Sequence, residues 1–355
     1  MTNTGKIHKI CLIGCGVSGT VFLLKLLETI APEDICMVDP AFDGGDLARH
    51  WSAINSNTTW QLFLDSIDKL PIAKSYIDKR RDKFALDSIT PVWELSNTLR
   101  QAMSIHMRGI DSSTCYAKSA NYDTEAGVWT IRLESPGCSG IKKAKTILFA
   151  PGGIPKQVNL SKHQIPLEIA LDSSRLARVI EPGQHILLFG LAHSGVLVLR
   201  NLLALDTRVS VIYRTAKPFA FARDGAYQGI KQEAATFADE LLANPNPNVT
   251  FIQSSDAELT IRAYTQCTAV ISAIGFSKNT GSCTFSVDGN LISQKEYDPS
   301  TAVLVNAPHA FGFGIAYPSV TNYEGKIYED AGVYSFVNHA LATYQNILDS
   351  ALRSL

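Results

Sequence analysis

One local plan occurs twice in this chain, and it limits the possible folds more than any other feature. An apolar strand over Ile10–Ile13 runs into Gly14-Cys15-Gly16-Val17-Ser18-Gly19, then an apolar helix through about Ile30, then a strand Ile35–Val38 that ends at Asp39. The same order returns as Ile186–Phe189, Gly190-Leu191-Ala192-His193-Ser194-Gly195, a helix to about Leu205, and Val209–Tyr213 ending at Arg214. A strand that turns tightly into a helix and returns beside itself is a βαβ unit. Two such units predict an α/β protein with two Rossmann-like dinucleotide-binding domains.

The intervening segments suggest that one domain is inserted into the other. "VWTIRLE" (Val128–Glu134) alternates like a half-buried strand, and "KTILFAPGGIP" (Lys145–Pro155) is a short apolar strand closing on a Gly/Pro turn. "AVISAIGF" (Ala269–Phe276) repeats that strand and turn after the second unit, followed by "HAFGFGIAYP" (His309–Pro318) and a helix from about Ala331 to Leu352. We therefore expect a first domain over residues 1–155 and 277–355, with the second, 156–276, inserted into it.

Each glycine of the first turn has a separate task. Gly14 permits the tight turn, Gly16 lets backbone approach a pyrophosphate, and Gly19 lets the helix lie close to the strand. The helix start, including Ser18, offers amide donors and positive dipole to phosphates. Asp39 stands where a carboxylate can accept from both hydroxyls of an adenosine ribose. In the second turn Ala192 replaces the middle glycine, His193 and Ser194 follow, and Arg214 takes the place of Asp39. A guanidinium there suits a 2′-phosphate and hence NADPH, with Lys217 in support. A solvated strand-end charge is the bland alternative for Arg214, and a structural histidine the alternative for His193.

Bulk properties narrow the partners. A chain of 355 residues, 46% hydrophobic, can bury two cores. A net charge of −1 provides no field to gather nucleic acid or an anionic membrane, so a small molecule is the expected partner. Seven cysteines without a Cys-x-x-Cys pair argue against a disulfide framework and a dithiol centre, and fit a reducing cytoplasm. Lys6 and Lys9 before an apolar run imitate a secretory leader, but the glycines favour strand, turn and helix. Ile186–Leu205 has a membrane-like length that Gly190, His193, Gly195 and Arg200 interrupt. No metal-ligand spacing stands out.

Together, the two fingerprints, Asp39, the Ala150-Pro151-Gly152-Gly153 turn, the Ala273-Ile274-Gly275 turn and the late Gly312-Phe313-Gly314 strand make the chain resemble the two-dinucleotide-binding flavoproteins along nearly its whole length. The resemblance implies FAD in the first domain and NADPH in the second. The disulfide-reductase branch carries a Cys-x-x-Cys pair and ends its late strand in Gly-Asp, and this chain has neither. It is most similar to the class B flavin-containing monooxygenases. They share a Ser-Gly like Ser194-Gly195 and a late Gly followed by Pro, like Gly314 and Pro318. They also have a Thr/Ser-Asn-Thr run like Ser56-Asn57-Thr58, preceded by Gly44, Gly45 and Trp51 and followed by Pro71. The F-x-G-x-x-x-H signature of that class is absent, and only His163 occupies the region.

That resemblance implies hydride transfer from NADPH to FAD, activation of O2 at flavin C4a, and oxygenation of a small substrate bearing nitrogen, sulfur or a ketone. Asn57 is then the catalytic candidate beside the flavin. Gly14, Gly16, Ser18, Gly19, Asp39, Gly45, Trp51, Thr58, Gly152, Gly275 and Gly314, with Gly190, Ala192, His193, Ser194, Gly195 and Arg214, are the cofactor candidates. Asn57 or Thr58 equally suits the N-cap of a helix in "TTWQLFLDSI" after a polar loop, and Trp51 and Trp60 suit a core. Two other functions stay open: a reductase serving a quinone, an iron–sulfur protein or a small oxidised substrate, and a non-catalytic nucleotide sensor.

Overall fold

A computed structural model of the chain describes residues 5–219, 230, 232–323, 325–330 and 332–352, with the side chains of 57, 323 and 326 left out. The chain divides into two compact units. One comprises residues up to Ser52, Thr58–Gly153 and those from Lys278 on; the other comprises Ala53–Asn57 and Ile154–Ser277.

The first unit begins with β1 (Ile7–Ile13), α1 (Val17–Leu26), β2 (Ile35–Asp39), α2 (Asp46–Arg49), β3 (Asn55–Thr59), whose first three residues are grouped with the second unit, α3 (Trp60–Ile67), α4 (Pro71–Asp78), β4 (Ile89–Pro91), α5 (Val92–Ser104), β5 (Asp111–Thr114), β6 (Ala117–Asp123), β7 (Val128–Ser135) and β8 (Cys138–Phe149). The second holds β9 (Gly153–Pro155), β10 (His163–Ile165), α6 (Leu167–Ala170), α7 (Ser173–Leu176), β11 (His185–Phe189), α8 (His193–Leu203), β12 (Arg208–Tyr213), α9 (Gln232–Ala243), β13 (Val249–Gln253), α10 (Ala257–Gln266), β14 (Ala269–Ser272) and β15 (Phe276–Lys278). The first unit then closes with β16 (Thr284–Val287), β17 (Asn290–Ile292), β18 (Ala310–Gly312), β19 (Ser319–Tyr323), β20 (Lys326–Asp330) and α11 (Val333–Leu352).

β1 is apolar along its C-terminal half because it is covered on both faces: Ile10, Cys11 and Leu12 are fully buried. It lies between β2 and β8, parallel to both, with Ile13 beside Val38 on one side and Phe149 on the other. β5 extends the sheet beyond β2, while β7, β6, β16 and β17 extend it beyond β8, and β18 also pairs with β8. α1 is buried along almost its whole length and packs against α5 and α11. It stops at Leu26, short of the expected Ile30, where its bonds tighten to i→i−3 spacing, Glu28 N donating to Lys25 O at 3.3 Å and Thr29 N to Leu26 O at 3.1 Å.

The second unit is a five-stranded parallel sheet in the order β10-β14-β11-β12-β13. Its centre, β11, carries fully buried Ile186, Leu187 and Leu188. The architecture is thus α/β, with two Rossmann-like folds and the second inserted into the first. Among the described residues, no helix is long and apolar enough to cross a membrane.

The stretch expected as a polar loop differs from expectation. Asn55–Thr59 is a strand, β3, paired with β4, and the pairing continues into α3, where Trp60 N donates to Ser88 O at 2.9 Å. Tertiary pairing and two successive β-branched threonines outweigh the loop propensity of Ser and Asn. The cap also moves: Thr59 Oγ1 accepts from Leu62 N at 3.3 Å, so neither Asn57 nor Thr58 is the N-cap. Strand pairing holds those two in extended backbone, one and two residues too early to reach the free amides of the first turn.

Candidate functional site

The first glycine turn sits where three strands end together. Gly14 N donates to Val38 O at 2.9 Å and Ala150 N donates to Ile13 O at 2.8 Å, which draws the ends of β2 and β8 against the turn. Gly14 has φ of +90°, and a Cβ there would lie 2.2 Å from Ala150 O. A Cβ on Gly19 would lie 2.0 Å from Gly14 O, so the helix approaches the strand to a distance that only glycine allows. Gly16 differs. Its added Cβ would meet only Gly45 Cα, at 3.7 Å, and its missing side chain leaves space open to a cavity.

Asp39 is buried and organises this turn. One carboxylate oxygen accepts from Cys15 N at 2.7 Å, and the other from Ala41 N at 2.8 Å and Phe42 N at 2.7 Å. The carboxylate therefore ties the glycine loop to the bend after β2. The oxygen that accepts from Ala41 and Phe42 has both lone pairs engaged, whereas the one bonded to Cys15 N keeps capacity for a further donor such as a ribose hydroxyl.

A cavity of about 260 Å³ opens over these strand ends. Among the sequence candidates, Gly14, Gly16, Asp39, Gly45 and Gly152 line it; Ser18, Gly19, Trp51, Thr58 and Gly314 do not. Asp46, Arg49, Tyr116, Asn279 and Ser282 also line it, and sequence reasoning had missed them. Asp46 and Arg49 follow directly on the Gly44-Gly45 pair, a signal that could have found them. Burial pushes the Asp46 carboxyl up, against the pull of Arg49 and His50. Asn279 arrives from far along the chain and closes on the Gly/Pro turn, its Nδ2 donating to Pro151 O at 3.1 Å and its backbone N to Gly152 O at 3.2 Å.

Two observations fit a phosphate-bearing group at this turn. The open side of Gly16 faces the cavity at the start of α1, where unpaired helix amides collect. Ser18, on the first turn of α1, is buried, and its Oγ has no hydrogen-bond partner among the described residues. Gly314, with φ of +76°, lies against it, and a Cβ there would come within 3.0 Å of the Ser18 Cβ.

The remaining first-unit candidates separate by burial. Trp60 is core: it stacks on Phe63 with ring centroids 5.0 Å apart and donates from Nε1 to Arg81 O at 2.9 Å. Trp51 is buried as well. Asn57 belongs to β3, but its side chain lies outside the described residues.

The second turn repeats the first. Gly190 has φ of +96°, its N donates to Ile212 O at 2.9 Å, and Ala273 N donates to Phe189 O at 2.7 Å. Added Cβ atoms would lie 2.2 Å from Ala273 O at Gly190 and 2.3 Å from Gly190 O at Gly195. Ala192 is the exposed N-cap of α8, with His193 and Ser194 in its first turn. Gly275 has φ of +88°, and its carbonyl accepts from Lys156 N at 2.9 Å. Arg214 and Lys217 follow β12 and are exposed. Arg223, Asp224 and Tyr227, which follow the second βαβ unit in sequence and suit either a solvated loop or one facing substrate or nicotinamide, lie outside the described residues.

No family model matches the chain. It is 23% identical over 310 residues to Monooxygenase AgnR1 of Paecilomyces divaricatus, an alignment that covers 76% of this chain and 78% of the relative. Among solved structures it is similar to the ornithine N-hydroxylase KtzI of Kutzneria sp. 744, a form with reduced FAD, NADP+ and L-ornithine, at a TM-score of 0.64 and 10% identity over 97% of this chain and 99% of that one. It is also similar to the bacillithiol disulfide reductase Bdr of Bacillus cereus, at a TM-score of 0.63 and 13% identity over 96% of this chain and 99% of that one. The fold of this chain is that of the FAD- and NADPH-dependent flavoprotein oxidoreductases.

Proposed function

We propose that this protein is an FAD-dependent, NADPH-consuming monooxygenase acting on a small molecule with a nucleophilic nitrogen, a sulfur or a ketone. The observation that carries the proposal is the pair of matching glycine turns, each opening a helix at the end of a central parallel strand, in a chain whose curated relative is a monooxygenase. In the first unit Gly14, Gly16 and the start of α1 would receive the pyrophosphate of FAD, and Asp39 its adenosine ribose. Gly45 and Gly152 keep backbone close to that cavity without side chains in the way. In the second unit Gly190, Ala192, Ser194 and Gly195 would receive the pyrophosphate of NADPH, and Arg214 its 2′-phosphate.

Bound together, the two cofactors supply a two-electron reduction and the activation of O2. This chain's own part is to hold them and to keep the reacting oxygen from escaping as hydrogen peroxide. We assign that second task to Asn57, whose amide can donate a hydrogen bond without giving up a proton. The absence of a Cys-x-x-Cys pair argues against disulfide reduction even though a disulfide reductase shares the fold.

The test is a balance sheet of NADPH, oxygen and peroxide. Purified yellow protein is given NADPH, ¹⁸O-labelled O2 and a panel of amines, sulfides and ketones. Incorporation of one labelled oxygen into a substrate per NADPH supports the proposal. Peroxide equal to the NADPH consumed with every substrate overturns it and leaves a reductase. Asn57→Ala is expected to raise the peroxide share; an unchanged share removes Asn57 from the mechanism.

A further inference from the structure

The second unit has a cavity at the end of its sheet opposite the glycine turn. The turn at Gly190 follows the C-terminal end of β11, whereas this cavity, of about 330 Å³, gathers His185, Arg208 and Asn248 from the N-terminal ends of β11, β12 and β13. A five-residue strand separates the two places by roughly 17 Å. The volume is at the small end of the range for small-molecule sites, about 300–1,000 Å³.

Strand register puts its polar groups on one face. His185 is level with Arg208, and Ser210 with Thr250. Because side chains alternate, Arg208 and Ser210 point to the same side, and His185 Nε2 lies 2.9 Å from Ser210 Oγ. The opposite wall is α10, which presents Leu259, Arg262, Ala263 and Gln266. Those positions are spaced i, i+3, i+4 and i+7, the stripe that a helix normally fills with apolar residues against a sheet. Here only Ala263 is buried, packing with Leu187, Ile212 and Ile252, while an arginine and a glutamine from the same stripe look over the gap.

Neither Arg208 nor Arg262 belongs to an ion pair among the described residues. Asp256, at the start of α10, is occupied as its N-cap and accepts from Leu259 N at 2.9 Å. His185 is held below the usual histidine range by burial first and by the Arg208 charge second, so its imidazole adds neutral hydrogen-bonding capacity. Beside the two guanidiniums lies apolar surface: Ile252, on the face that meets α10, and Leu259, 42% exposed.

We propose that this cavity binds a small organic carboxylate with an apolar body, its carboxylate between Arg208 and Arg262 and its body on Leu259 and Ile252. Planar guanidiniums match a carboxylate, and uncharged donors from Ser210, Asn248 and Gln266 complete the lining. The site is distinct from the dinucleotide turn and independent of the proposed oxygenase activity.

Sodium benzoate is the probe, titrated by calorimetry into the full chain as purified. One saturable site is expected, with Arg208→Gln and Arg262→Gln each weakening it about tenfold and the double variant abolishing it. Both arginines are exposed, so these variants should keep their fold, which circular dichroism checks. Leu259→Asn is expected to weaken benzoate but not acetate. In ¹³C-histidine spectra, benzoate should raise the His185 pKa, because a bound anion offsets Arg208. Any of four results overturns the proposal: no saturable benzoate binding, full binding by the double variant, inorganic phosphate binding as tightly as benzoate, or displacement of benzoate by NADP+.

Discussion

Gly14 and Gly190 occupy equivalent places in the two nucleotide folds, down to single hydrogen bonds. Each donates its amide at 2.9 Å to the penultimate residue of the neighbouring strand, Val38 in one case and Ile212 in the other. Each has its Cβ position blocked by the carbonyl of an alanine, Ala150 or Ala273, 2.2 Å away. The folds part at the next strand end. Asp39 is buried and grips three backbone amides, so the first turn is braced by its own acid before any ligand arrives. Arg214 is exposed. On the proposed reading, the first turn, braced in advance, suits a resident cofactor, and the second, with its charge at the surface, suits a cofactor that exchanges.

The harshest way to break this equivalence is Gly14→Val against Gly190→Val. Each places a side chain inside backbone at a positive φ, a strain above about 3 kcal/mol, or more than a hundredfold in binding. The first is expected to yield colourless protein. The second should stay yellow while NADPH oxidation falls at least about a hundredfold, as absorbance and stopped-flow assays would show. If both lose flavin, the two turns are not separate sites.

Next in size is Asp39→Asn against Arg214→Ala. Loss of charge-assisted acceptance at Asp39 should weaken FAD about 10- to 100-fold in fluorescence titrations of the deflavinated protein. Arg214→Ala should raise the KM for NADPH about tenfold and leave the KM for NADH unchanged. An equal rise for both would mean that Arg214 does not meet the 2′-phosphate.

Thr59→Ala should cost about 1 kcal/mol and lower Tm by about 1–2 °C through loss of the α3 cap, whereas Thr58→Ala and Asn57→Ala should shift it less. The smallest effect is expected of Ala192→Gly, which restores the middle glycine. A change in NADPH KM within about threefold would mean that a methyl group fits there without moving the phosphates.

Several elements were legible because their signals are local. Both turns announce themselves in the glycine spacing, and β1 and β11 in their unbroken apolar runs. The polar run at Ser56–Thr59 misled for the opposite reason. Its strand character comes from β4, more than two dozen residues away, and the cap follows from where that pairing ends. The cavity lining divides in the same way. Gly14, Gly16, Asp39, Gly45 and Gly152 carry local marks, whereas Tyr116 and Asn279 carry none.

What the sequence determined by itself is the set of positions where backbone must approach backbone, since a missing Cβ and a permitted positive φ are properties of single residues. Tertiary structure alone decided what stands around them. β5 pairs with β2 so that Cys115 N donates to Asp39 O at 3.0 Å, which brings Tyr116 over the cavity. The returning chain sets Asn279 on the Pro151 carbonyl. Those contacts depend on strand order and register between distant segments, and no short window of residues encodes them.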